Sequence, residues 1–260
     1  MSKNVYFELT DAFNRDGRIV LLASGQAVVH YQLAIMSKDG DWIVRETDAA
    51  CRRVREVLAE RGARYRPGAP LDPRWLAGGW SSHFELADEK GRRLRCDFFS
   101  RPPRVSLQDL EGLFAASEPP AVVDVESLIR MKRTQRAKDY PVIGELARLL
   151  PPERELELTT DPDRVLELAP RHASDRPAAR AAREGRLAVV LALAAEADRL
   201  QQEDRRRVDA YERAFAPYLV AFRELGRDAL ALPHSHDRLC RLAERLLPTT
   251  LGEPDREDAQ

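Results

Sequence analysis

The double proline Pro151-Pro152 divides the chain into two kinds of sequence. Before it, short apolar runs with strand-like patterning alternate with amphipathic, helix-like stretches. That order predicts a sheet flanked by helices. After it, Ala, Arg, Leu and Glu dominate and no strand pattern occurs. Proline lacks a backbone donor and restricts the residue before it, so two in succession interrupt a helix or strand. The expectation is an α/β (α+β) domain with a small mixed sheet over residues 1–150. An all-helical region follows over 151–260.

Within the first part, Ile19 to Ala23 is a continuous apolar run, the pattern of a strand buried on both faces. It ends at Ser24-Gly25, and residues 26–33 then read as a short helix. A strand, a small-residue turn and a helix leave backbone N–H groups at a helix start, where anions bind. Thr47 or Asp48 caps a helix running to Arg61, with Gly62 as its stop. Residues 63–80 read as an irregular proline- and glycine-rich excursion. Residues 82–87 and 92–99 alternate on either side of Asp88-Glu89-Lys90-Gly91, which predicts a hairpin. Asp124 is placed as the cap of a helix over 125–135. In the second part, the pattern from about Ala178 to Leu225 fits either two helices or one bent near 203–207, and 248–260 reads as an acidic tail.

Asp39 and Asp41, one residue apart, lead into the apolar run Trp42-Ile43-Val44. On a strand they point to the same side. Two such acids can share a divalent cation, and Mg²⁺ is commonly held by one or two carboxylates together with substrate phosphates. Asp97, alone in an otherwise apolar strand pattern, is the candidate third acid. The competing reading makes Asp39-Gly40 a turn, because Asp-Gly is a strong turn dipeptide and glycine weakens a strand interior.

Charge separates few classes here. The net charge is −1 although 33% of residues are charged, so no global field draws the protein to nucleic acid or membrane. The three cysteines are far apart with no CxxC pair, which argues against a disulfide framework or zinc ribbon and fits a reducing compartment. The N-terminus lacks the apolar run of a signal peptide, and the longest apolar run is too short to span a bilayer. A cytoplasmic protein without membrane partners is expected. Trp75 and Trp80 read as core anchors, Cys96 as a small core residue, His30 as a packed side chain, and His234-Ser235-His236 as a polar loop.

The order Ser24-Gly25, Asp39-Gly40-Asp41, Asp97, then the capped run Asp124 to Asp139 carrying Lys132, resembles the nucleotidyltransferase superfamily with the DNA polymerase β palm fold. More narrowly, it resembles the minimal nucleotidyltransferases related to AbiEii-type toxins. The resemblance covers roughly residues 15–150. It implies that Asp39, Asp41 and Asp97 are catalytic Mg²⁺ ligands. It further implies that Ser24, Gly25, Lys38, Lys132 and Asp139 serve the nucleotide, Ser24 and Gly25 at its phosphates. Gly40 departs from the family, which usually has a large apolar residue there, and Ser-Gly stands where Gly-Gly or Gly-Ser is usual.

The leading expectation is transfer of a nucleoside monophosphate from an NTP to an RNA, protein or small-molecule acceptor. The alternative is a catalytically altered module of the same fold in a defence or toxin–antitoxin pair, docking a protein partner through the C-terminal helices. A third reading, a helical nucleic-acid binder using 178–207, is opposed by the Glu and Asp mixed into that stretch.

Overall fold

The computed structural model describes residues 4–116 and 119–251. The chain forms two compact units, one of residues 1–123 with 209–260 and one of residues 124–208. The division by packing thus falls at 123/124 and 208/209 and not at the double proline. Pro152 instead opens a helix inside the second unit, at the N-terminal position where a missing N–H costs nothing.

The first unit is built on a five-stranded mixed sheet. Its elements are α1 (Val5–Phe13), β1 (Val20–Leu22), α2 (Ser24–His30), β2 (Asp39–Val44), α3 (Asp48–Glu60), β3 (Arg64–Tyr65), α4 (Pro73–Ala77), β4 (Ser82–Ala87), β5 (Arg93–Phe99) and α5 (Leu107–Ala115). The strand order is β1-β2-β5-β4-β3. Only the β2–β5 pairing is parallel; the others are antiparallel. The predicted hairpin is β4–β5, with Ala87 opposite Arg93. The predicted continuous strand is β1, fully buried, and Val122 adds a parallel bridge beside its Leu22. The excursion over 63–80 carries β3 and α4 and buries Trp75 and Trp80. Thr47 caps α3 through its hydroxyl, and Ser106 with Asp109 forms a full capping box on α5.

The second unit holds α6 (Val125–Lys132), α7 (Tyr140–Ala147), α8 (Pro152–Leu158), α9 (Pro162–Leu168), α10 (Pro177–Ala181) and the first part of α11 (Arg186–Arg223). Asp124 caps α6 by accepting from Ser127 N at 2.7 Å. This helix stops three residues short of the predicted end, where Gln135 N donates to Asp204 Oδ2 instead of continuing the helical ladder. Leu156, Val165, Leu168, Ala178 and Val189 form the unit's core with their neighbours. The long pattern resolves into α10 and the single continuous α11.

From residue 209 onward the chain belongs to the first unit again. Phe215, Tyr218 and Phe222 of α11 join that unit's core beside Trp80. The last helix, α12 (His236–Leu246), places Leu239 and Ala243 in the same core. The first four predicted residues of the acidic tail, 248–251, are described; the rest lies outside the described residues. Among the described residues, no helix is long and apolar enough to cross a membrane.

Candidate active site

Asp39, Gly40 and Asp41 are the first three residues of β2, so the Asp-Gly pair is strand and not turn. Parallel pairing sets Asp39 opposite Arg95, Gly40 opposite Cys96 and Asp41 opposite Asp97. Side chains alternate along a strand and paired residues share a face. Asp39, Asp41 and Asp97 therefore lie on one face of the sheet. Gly40, Trp42, Cys96 and Phe98 lie on the other, where all four are buried.

The departure at Gly40 has a packing cause. A Cβ there would stand 2.4 Å from Trp42 Cη2 and 2.5 Å from Tyr6 Cδ1, distances no side chain tolerates. Glycine lets Tyr6 of α1 lie against the strand. The Tyr6 hydroxyl donates to Lys38 O at 2.6 Å. Burial first, and then the charges of Cys96 and Asp39, push this phenol up to about 12, so it remains a donor. The Lys38 side chain is exposed.

Asp39 and Asp97 have basic neighbours. Arg95 Nη1 lies 3.8 Å from Asp39 Oδ1. Arg66 Nη1 donates to Asp97 Oδ1 at 3.3 Å. His83 Nδ1 approaches the same oxygen to 2.8 Å, but at an angle outside hydrogen-bond geometry. The Asp39 side chain is 40% exposed and that of Asp97 23%, so the face is open to solvent. The ligand atoms of the three acids are not gathered within 4.8 Å of one another. They form an open acidic face instead of a closed cage, which suits a cation that keeps water and takes further oxygens from phosphate.

Ser24 and Gly25 begin α2 directly beyond β1. Ala23 N donates to Asp41 O at 2.8 Å, which fastens this turn beside the acid-bearing strand. Ser24 holds a left-handed φ of 49°. A Cβ on Gly25 would meet Ser37 Oγ at 2.3 Å. Gln26, 1% exposed, donates Nε2 to Ser37 O at 3.0 Å and accepts from Asn4 Nδ2 at 2.9 Å. The turn and the segment before β2 are thus locked together. A groove of about 1060 Å³ runs past Tyr6, Gln26, Lys38, Asp39 and Arg95; Asp41 and Asp97 are not part of its lining.

Lys132 and Asp139 belong to the second unit, where Lys132 Nζ lies 3.6 Å from Asp139 Oδ1. They are brought to each other. Sequence reasoning missed Tyr6, Gln26, Arg66, His83 and Arg95. Arg95 was within reach, since it precedes Asp97 by two residues on an alternating strand. The others depend on which strands and helices become neighbours.

No family model matches the chain, and no curated protein matches it. Two solved structures from Helicobacter pylori are similar to it. One, whose description proposes a nucleotidyltransferase, is 14% identical with a TM-score of 0.41, covering 75% of this chain and 95% of that one. The other, JHP933, is 13% identical with a TM-score of 0.41, covering 80% and 95%. At that similarity neither carries an argument about this chain, whose reading rests on its own geometry.

Proposed function

We propose that this chain is a Mg²⁺-dependent nucleotidyltransferase that moves a nucleoside monophosphate from an NTP to a hydroxyl acceptor on RNA, protein or a small molecule. One observation carries the reading: the β2–β5 register that lays Asp39, Asp41 and Asp97 on a single open face. The donor set fits the ion, since all three ligands are hard carboxylate oxygens with room for water and phosphate. Asp39, Asp41 and Asp97 would hold the ions. When bound, Mg²⁺ supplies charge stabilisation at the transferring phosphoryl group and the leaving pyrophosphate.

The remaining roles fall to the chain itself. Ser24 and Gly25 offer backbone N–H groups and a hydroxyl beside the acid strand, suited to the β- and γ-phosphates. Arg95 and Arg66 bring positive charge to the rim of the face, where triphosphate charge would accumulate. Lys38 extends that charge along the groove. Tyr6 and Gln26 position the strand start by gripping the backbone of residues 37–38. Lys132 and Asp139, an ion pair of the second unit, are assigned no role at this face. The guanidinium partners of Asp39 and Asp97 support one second reading, a catalytically altered module whose acids are occupied by arginine.

Label transfer tests the proposal. The full chain is incubated with each α-labelled NTP, Mg²⁺ and a mixed pool of RNA and protein acceptors, beside the Asp39→Ala/Asp41→Ala variant. Label appearing only with intact acids supports transfer and reveals the acceptor class. Absence of label, together with no Mg²⁺-dependent NTP binding, would leave the second reading standing.

A further inference from the structure

The polar cluster where α12 meets the N-cap of α4 plays no part in the proposed transfer reaction. Both elements belong to the first unit. His236 and Cys240 stand four residues apart on α12, hence on one side of it, along the stripe that also buries Leu239 and Ala243. Their facing atoms, Nε2 and Sγ, are 3.5 Å apart. Asp72 completes a trio whose ligand atoms all lie within 4.8 Å of one another, and among the described residues no other such trio of His, Cys, Asp or Glu occurs.

We propose that Asp72, His236 and Cys240 bind a Zn²⁺-type divalent cation that pins α12 to the segment leading into α4. Two features support this. A sulfur and a nitrogen bound to zinc at about 2.3 and 2.0–2.1 Å, and subtending a tetrahedral angle, lie about 3.6 Å apart; the observed separation needs almost no adjustment. The His236 ring is already oriented, with Nδ1 2.9 Å from the Tyr65 hydroxyl. That hydroxyl also accepts from Leu71 N at 3.2 Å. A metal-bound histidine ordinarily gives its second N–H to such a partner, which fixes the ring.

The charges balance when the site is filled. Cation binding displaces the thiol proton of Cys240 to solvent, leaving thiolate and Asp72 carboxylate against two positive charges. Asp72 Oδ1 accepts from Arg74 N at 2.9 Å, which leaves the carboxylate with acceptor positions to spare for an ion. The donor set of one sulfur, one nitrogen and one oxygen favours zinc or cobalt over Mg²⁺, so it is chemically separate from the acid face. Its position also gives it a structural use. Asp72 and the His236–Cys240 pair come from pieces of chain separated by the whole second unit, and a tie between such pieces removes loop-closure freedom from the unfolded state.

Cobalt titration of the metal-free full chain tests the site. Co²⁺ should bind at one equivalent with thiolate-to-metal charge-transfer absorption, and Zn²⁺ should displace it and raise the melting temperature. Cys240→Ser should abolish the charge-transfer band, and His236→Gln and Asp72→Asn should each weaken binding by tenfold or more. Asp39→Ala/Asp41→Ala should leave the band intact. A wild-type spectrum without that band overturns the proposal with no variant needed. So does a band that survives Cys240→Ser in protein melting like wild type in chelator, or one lost with the Asp39/Asp41 variant.

Discussion

The first unit contains two clusters of potential ligands built on opposite principles. On the sheet face, three carboxylates sit on adjacent strands, open to water and shadowed by Arg95 and Arg66. At α12, three different donor types converge in a half-buried site, braced by Tyr65. The open face suits a hydrated hard cation that arrives with substrate. The half-buried one suits a softer cation bound for stability. The difference teaches that strand pairing aligns like groups along a face, whereas a helix crossing a capped turn can gather unlike groups at a point.

Four measurements sharpen or break this contrast. The largest effect is expected from Asp39→Ala/Asp41→Ala, which should lower nucleotidyl transfer by about 100-fold or more, the scale of losing transition-state charge stabilisation. It should change the melting temperature little, because both acids are only partly buried. A comparable loss of stability and activity would mean that the face is structural. Gly40→Ala should do the reverse, costing roughly 1–3 kcal/mol by overpacking against Tyr6 and Trp42. Urea unfolding reads this directly, and an unchanged midpoint would refute the packing account of that glycine.

The third measurement concerns acid sensitivity in chelator-treated protein. Burial, and then the charge of Arg55, lowers His236 to about 4, against about 6.5 for the unfolded chain. Between those values the unfolded state binds the extra proton. The stability contributed by neutral His236 is therefore present above about pH 6.5 and lost as pH falls toward 4. Comparing urea midpoints at pH 7 and pH 5, His236→Gln should remove about 1–2 kcal/mol of that decline. An identical decline in the variant would place the acid sensitivity elsewhere. The smallest effect is expected from Arg95→Ala. Its pair with Asp39 is exposed on both sides, so stability should move by less than about 0.5 kcal/mol. A change in Mg²⁺-dependent NTP binding without a change in melting would tie Arg95 to the face.

Much of the site was legible because it follows from local period. Asp39, Asp41 and the alternating run to Asp97 declare their faces by strand geometry. The caps Thr47, Ser106 and Asp124 announce their helices by side-chain chemistry. Gly40 was read as a weakness because its neighbours across the sheet were unknown. Tyr6 and Trp42 turn the same glycine into a requirement. His234-Ser235-His236 was read as a polar loop, yet His236 opens α12 and faces Cys240. The four-residue spacing was visible in the sequence. Asp72, far away in the chain, was not.

The domain division shows the same limit from another side. The double proline marks the start of α8, a local event that proline chemistry dictates. Which helices share a core is a matter of complementary apolar surfaces. Phe215 meets Trp80, and Tyr218 and Phe222 join the same core, across about half of the chain's length. The sequence by itself determined much of the order of strands and helices (though not β3 and α4, which it read as an irregular excursion), several caps, and the common face of Asp39 and Asp41, since these depend on neighbours within a few residues. Only the tertiary structure decided that β5 runs parallel beside β2 with Asp97 level with Asp41, and that Asp72 meets His236 and Cys240. Those contacts close long loops, and their register is set by packing of surfaces that no local pattern specifies.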